Sequence, residues 1–148
     1  MPYDVTVIDE STARPESVIA RTLSFLKEQI TVRELIRRRV YEECLEFNAQ
    51  QGQVFQGLVT PEGAERSLNG DRVAPGRMLD WQEQYRRALD AFEHQGFVLL
   101  FDDRQVDDLD ERIELGPDRS SEATFLKLVP LVGGGSTTGQ RGAAGRRV

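Results

Sequence analysis

At residue 31 the hydrophobic period of the chain changes. Before it, "YDVTVID" over residues 3–9 is rich in β-branched residues and alternates Val5 and Val7 with Thr6, which reads as a strand. Residues 18–26, "VIARTLSFL", read as a second strand pairing antiparallel with the first, across a polar loop that contains Pro15. After it, Val32, Leu35, Ile36, Val40, Cys44 and Phe47 recur at helical spacing, and Thr31 with Glu34 three residues on forms a capping-box pattern. The spacing predicts a helix over 31–50 that ends near Gly52. "RRRVYEE" is placed on its solvated faces, with Arg38 opposite Glu42 and Arg39 opposite Glu43.

From Gly52 to Leu79 the chain carries five glycines and two prolines, which predicts an irregular insertion. Within it, "TPEGAERSLNG" has the marks of a short helix, with Thr60 as N-cap, Pro61 at the first position and Asn69-Gly70 as the stop. A stronger helix follows, capped by Asp80 with Glu83; Trp81, Tyr85, Ala88, Leu89 and Phe92 share its stripe, and Gly96 ends it. "FVLLF" reads as a buried strand, "DDRQVDDLDERIEL" as a turn region with short extended pieces, and "EATFLKLVPLV" as a long last strand. The order is β-β-α, an insertion with a second helix, then β, turn region and β, an α+β arrangement.

Charge and composition exclude several classes. The net charge is −6, and residues 135–148 hold Arg141, Arg146 and Arg147 with no acid, which leaves −9 on residues 1–134. An acidic domain lacks the basic footprint that nucleic acid requires. No apolar run approaches membrane length, no signal peptide is visible, and one cysteine makes no internal disulfide, so a reducing, cytoplasmic setting is expected. Cys44 sits on the apolar stripe late in its helix, which marks it as core. His94 has no second histidine or thiol nearby in sequence, so neither metal nor catalytic duty is assigned to it. "DDRQVDDLDE" lacks the sixth-position glycine of a calcium loop and reads as a solvated turn, with a docking surface for a basic partner as the alternative. No nucleophile–base set, metal spacing or phosphate loop appears, and an enzyme is the least favoured class.

The last third carries a resemblance. Val98 to Phe101 as a short apolar strand, Arg104-Gln105-Val106 as a turn step, Leu109 as a buried leucine, Ala123 to Val129 as a final strand and Gly133-Gly134 after it resemble the second half of ubiquitin-like proteins. The leading hairpin and helix fit the first half, so the resemblance covers about residues 1–50 and 96–134. It implies a ubiquitin-like β-grasp fold over residues 1–134 with an insertion at about 52–95. The insertion is similar to the larger bacterial ubiquitin-like proteins that accompany activating, conjugating and deconjugating enzymes, and that are associated with antiviral defence. Pro130 departs from the ubiquitin pattern; lacking an N–H, it is expected to end strand pairing and release Leu131 and Val132 as the tail that enzymes grip.

The resemblance implies a modifier made as a precursor, cut after Gly134 or Gly135, adenylated at the new carboxylate and joined to target amines. Gly133 and Gly134 suit this because glycine lacks Cβ and leaves the attacked carbonyl uncovered. Residues 135–148 are read as a disordered, removable extension. The implied partners are an activating enzyme, a conjugating enzyme, a JAB-type or cysteine deubiquitinase-like peptidase and protein targets, with no cofactor, no catalytic residue and no metal of its own. Lys27 and Lys127, the only lysines, are the candidate acceptors on this chain, and Trp81, Tyr85, Asp107 and Asp108 the candidate partner surface. Two other readings stand beside it: a sulfur carrier with a C-terminal thiocarboxylate, and a non-covalent interaction or self-assembly module.

Overall fold

The computed structural model describes residues 2–12, 19–67, 70–116 and 121–128. Strands β1 (Tyr3–Ser11) and β2 (Ile19–Phe25) pair antiparallel, with Val5 opposite Leu23. The short β3 (Gln29–Thr31) leads into helix α1 (Val32–Gln50). β4 (Val54–Phe55), β5 (Glu65–Ser67) and β6 (Gly70–Arg72) precede helix α2 (Trp81–Glu93). β7 (Phe97–Phe101), β8 (Arg104–Val106), β9 (Arg112–Glu114) and β10 (Ser121–Lys127) complete the order. The fold is α+β: a five-stranded mixed sheet in the order β2-β1-β10-β7-β8, with β3 paired to β9 and β4-β6-β5 forming a separate small sheet.

The middle of the large sheet is parallel, β10 lying beside β1 with Val5 opposite Ser121 and Ser11 opposite Lys127. Alternation sets which side chains face inward. Val5 and Val7 of β1, Leu23 of β2, Ala123 and Phe125 of β10, and Phe97, Leu99 and Phe101 of β7 are buried. They join Val32, Leu35, Ile36, Val40, Cys44 and Phe47 of α1 in one core. β7 is buried on one face only, since Val98 and Leu100 are half-exposed. Asp102 and Asp103 link β7 to β8 with φ of 48° and 70°, the left-handed pair that the twist of a tight hairpin favours.

The capping of α1 differs from its sequence pattern in one half. The Thr31 hydroxyl accepts from the Glu34 N–H at 3.1 Å, but the Glu34 carboxylate pairs with Lys27 at 3.3 Å. Asp80 caps α2 by accepting from the Gln82 N–H at 3.0 Å. The short helix expected after Thr60 is not formed. Gly63 turns the chain at φ 77°, and Glu65, Arg66 and Ser67 are all exposed, so the segment has no apolar face to bury as a helix and pairs instead as β5 with β6.

The insertion is tied to both helices. The Asn48 side chain of α1 donates to the Leu79 carbonyl at 2.9 Å and accepts from its N–H at 2.8 Å, fixing the entry to α2. α2 packs on α1 and meets the sheet through the aromatic series Phe92, Phe97 and Phe125, with successive centroids 5.8 Å apart. Among the described residues, no helix is long and apolar enough to cross a membrane.

Candidate functional site

The cleavage and recognition residues named from sequence, Gly133, Gly134, Gly135, Pro130, Leu131 and Val132, lie outside the described residues, as does the extension 135–148. What is described is the place from which they continue. At the end of β10, the Thr12 N–H donates to the Lys127 carbonyl at 3.1 Å and the Leu128 N–H to the Gly96 carbonyl at 3.3 Å. The strand end is therefore held by the chain leaving β1 on one side and by the approach to β7 on the other.

Directly beneath this end is a group of buried charges, two of which, Arg39 and Glu43, are expected in solvent from their spacing. Arg39 is fully buried, and Asp9 and Glu43 are 7% and 4% exposed. The Arg39 guanidinium donates to both Asp9 oxygens, at 2.5 and 2.6 Å, and through Nε to Glu43 at 3.1 Å. Its carbon sits 4.6 Å from the centroid of the Phe125 ring. Burial acts to lower the Arg39 pKa, but Glu43 and Asp9 outweigh it and the net shift is upward, so the cation persists. The expectation that Arg39 and Glu43 form a solvated pair is thus corrected, because both lie on the i, i+4 row Leu35–Arg39–Glu43–Phe47 that faces the sheet. The neighbouring pair, Arg38 with Glu42, does lie at the surface as expected.

The insertion closes over this network. The second Glu43 oxygen accepts from the Leu58 N–H at 3.0 Å, and the Lys127 ammonium donates to the Gly57 carbonyl at 2.6 Å. The carbonyls of the two residues after Leu58 are taken by α2, Val59 by Gln84 at 3.2 Å and Thr60 by Arg87 at 3.0 Å. Four successive residues without regular structure thereby have backbone groups satisfied by side chains from β10, α1 and α2. Gly57 has no room for a side chain, since a Cβ there would collide with the Phe55 ring.

The two lysines consequently differ. Lys27 lies in the turn after β2 with its side chain 68% exposed, paired to Glu34. Lys127 is half-buried with its amine bound to Gly57, and burial holds its pKa below the usual lysine value. As an acceptor, Lys127 must first leave its carbonyl partner, whereas Lys27 has only a surface ion pair to break.

The candidate partner surface assembles between the helices. Trp81 meets Tyr41 edge-on at 5.2 Å and Tyr85 at 6.4 Å, and the Arg37 guanidinium lies 5.1 Å from the Trp81 ring. Among the described residues Arg37 has no carboxylate partner. One turn earlier, Arg33 reaches Asp110 at 3.2 Å, and its backbone N–H donates to the Leu109 carbonyl at 2.9 Å. Asp107 and Asp108 are exposed in the same loop, lining a cleft of about 360 Å³ with Arg33, Phe92, Glu93 and Asp110. Leu109, between Asp108 and Asp110, is buried. The two halves of the candidate surface, separated in sequence, thus lie beside consecutive turns of α1.

Cys44 is 1% exposed, and burial, with smaller contributions from Glu43 and Asp80, pushes its thiol up to about 12, so it is chemically quiet core. His94 caps α2, its Nδ1 lying 2.9 Å from the Asp90 carbonyl, and is exposed. No protein-family model matches the chain, and no curated protein or solved structure matches it.

Proposed function

We propose that the chain is a ubiquitin-like protein modifier of β-grasp type that acts through its C-terminal glycines. The observation that carries the reading is the placement of β10. The strand immediately preceding "LVPLVGGG" is the central strand of the sheet, parallel to β1 and hydrogen-bonded on both sides, so a reactive C-terminal segment has a rigid root. Further support comes from the β1–β2 hairpin, the helix that follows it, the return of β7, β8 and β10 to the same sheet, and the buried Leu109.

In this reading a peptidase removes residues 135–148 and leaves Gly134 with a free carboxylate. An activating enzyme couples that carboxylate to the α-phosphate of ATP and releases pyrophosphate. A cysteine thiolate of the enzyme then displaces AMP to give a thioester, and a target amine displaces the thiolate to give an amide. The modifier contributes an unhindered carbonyl and a surface by which the enzymes hold it. Its acidic domain, at −9 over residues 1–134, favours encounter with basic partner surfaces.

The test replaces Gly133 and Gly134 together by tryptophan and expresses the tagged wild-type and variant chains in the native host. The expected result is covalent adducts of the wild-type chain and none of the variant; adducts that persist in the variant reject the mechanism. A second reading is favoured by Arg37, which is stacked on Trp81 with its donor edge unpaired among the described residues: non-covalent binding of an acidic partner at the α1–α2 face. Such binding should survive the tryptophan substitutions and be lost in Arg37→Glu.

A further inference from the structure

The geometry points to Lys127 as a positioning residue: it fastens the end of β10 to the inserted 57–60 loop, so that the insertion fixes how the C-terminal segment is presented. The role in presentation rests on the modifier reading above; the fastening itself does not. Beyond the ladder itself, contacts among the described residues hold the end of β10. The Thr12 N–H and hydroxyl both donate to the Lys127 carbonyl, and the Leu128 N–H donates to the Gly96 carbonyl. A third contact, the Lys127 ammonium on the Gly57 carbonyl, is the one that reaches the insertion.

The partner of that contact is rigid. Gly57 lies against the Phe55 ring, the Leu58 N–H is bound by buried Glu43, and the carbonyls of Val59 and Thr60 are bound by Gln84 and Arg87 of α2. Glu43 is in turn fixed by Arg39, which Asp9 holds from β1, the strand beside β10. Charge explains why a lysine stands at this inward position. Asp9 and Glu43 bring two carboxylates and Arg39 one cation, so an ammonium at residue 127 completes the balance in a half-buried place. Asp71 of β6 adds a further favourable interaction with the same amine. A surface lysine would need none of this. The arrangement assigns the insertion a specific duty: it is the wall against which the root of the C-terminal segment is set.

The experiment compares full-length wild type, Lys127→Met, which keeps the aliphatic stem, and Lys127→Arg, which keeps the charge and donor. Amide hydrogen exchange is followed at Thr12, Leu58 and Leu128, with Val40 and Cys44 of α1 reporting on the intact core. The cut after Gly134 is timed by the intact mass of each full-length chain in a lysate of its native host. In Lys127→Met, exchange at the three clamp amides should rise roughly five- to tenfold while Val40 and Cys44 are unchanged. Processing should slow by a similar factor, and Lys127→Arg should restore both. Unchanged exchange at Thr12 and Leu128 in Lys127→Met overturns the fastening. Loosened exchange with processing at the wild-type rate overturns the presenting role. A wild-type chain that is never processed rejects the modifier reading and the presenting role with it, while the exchange arm still decides whether Lys127 fastens the strand.

Discussion

Arg38–Glu42 and Arg39–Glu43 are consecutive pairs in one helix, identical in residue type and spacing, yet they belong to different physical regimes. The first is surface chemistry, with both side chains more than a third exposed. Water already solvates both charges there, so the contact adds little. The second is sealed between α1, β1 and the 57–60 loop, where the guanidinium has no water and must find its acceptors in Asp9 and Glu43. A rotation of about 100° around the helix axis separates the two. What the difference teaches is that spacing selects which charges meet, whereas the face of the helix decides what the meeting is worth.

The contrast can be broken most severely at Arg39. Arg39→Met leaves two buried carboxylates, Asp9 and Glu43, with only the Lys127 ammonium between them and should cost about 3–5 kcal/mol in urea unfolding, enough to threaten the fold. Replacing Asp9→Leu and Arg39→Met together should recover much of that loss, because Glu43 then balances Lys127 and keeps the Leu58 N–H. A double variant no more stable than Arg39→Met alone would show that the network supplies more than charge balance. Next in size is Lys127→Met, which deprives the Gly57 carbonyl of its donor and should cost about 1 kcal/mol in local opening, read as faster exchange at Thr12, Leu58 and Leu128. The smallest effect belongs to the exposed pair: Arg38→Ala should change stability by only about 0.5 kcal/mol, and 1 M salt should erase the difference. If Arg38→Ala and Arg39→Met fell within error of each other, burial would not be the variable that separates them.

Much of the fold is legible in the residue pattern. The hairpin, α1 with its Thr31 cap, α2 with its Asp80 cap, and β7 and β10 all follow from period and punctuation. The false helix after Thr60 arose from giving cap signals weight where no apolar stripe followed. The buried network was equally legible but was read through residue type rather than position. Val5, Val7 and Asp9 form one inward row of β1; Ala123, Phe125 and Lys127 continue the inward row of β10; and Leu35, Arg39, Glu43 and Phe47 form one row of α1. Charged residues that end two inward rows and interrupt the third are the signal that these elements meet there. The 57–60 loop carries no such periodicity, since its order comes from side chains donated by distant elements. The Trp81 and Asp107–Asp108 halves of the candidate surface could be named separately, but their nearness depends on the packing of α2 against α1, which local pattern does not encode.

The modifier reading is tested most directly by the intact mass of the chain after incubation in a lysate of its native host. A product ending at Gly134, with residues 135–148 released as one peptide, is the expected result. A chain that keeps all 148 residues, or that is trimmed at scattered bonds within the extension, contradicts it.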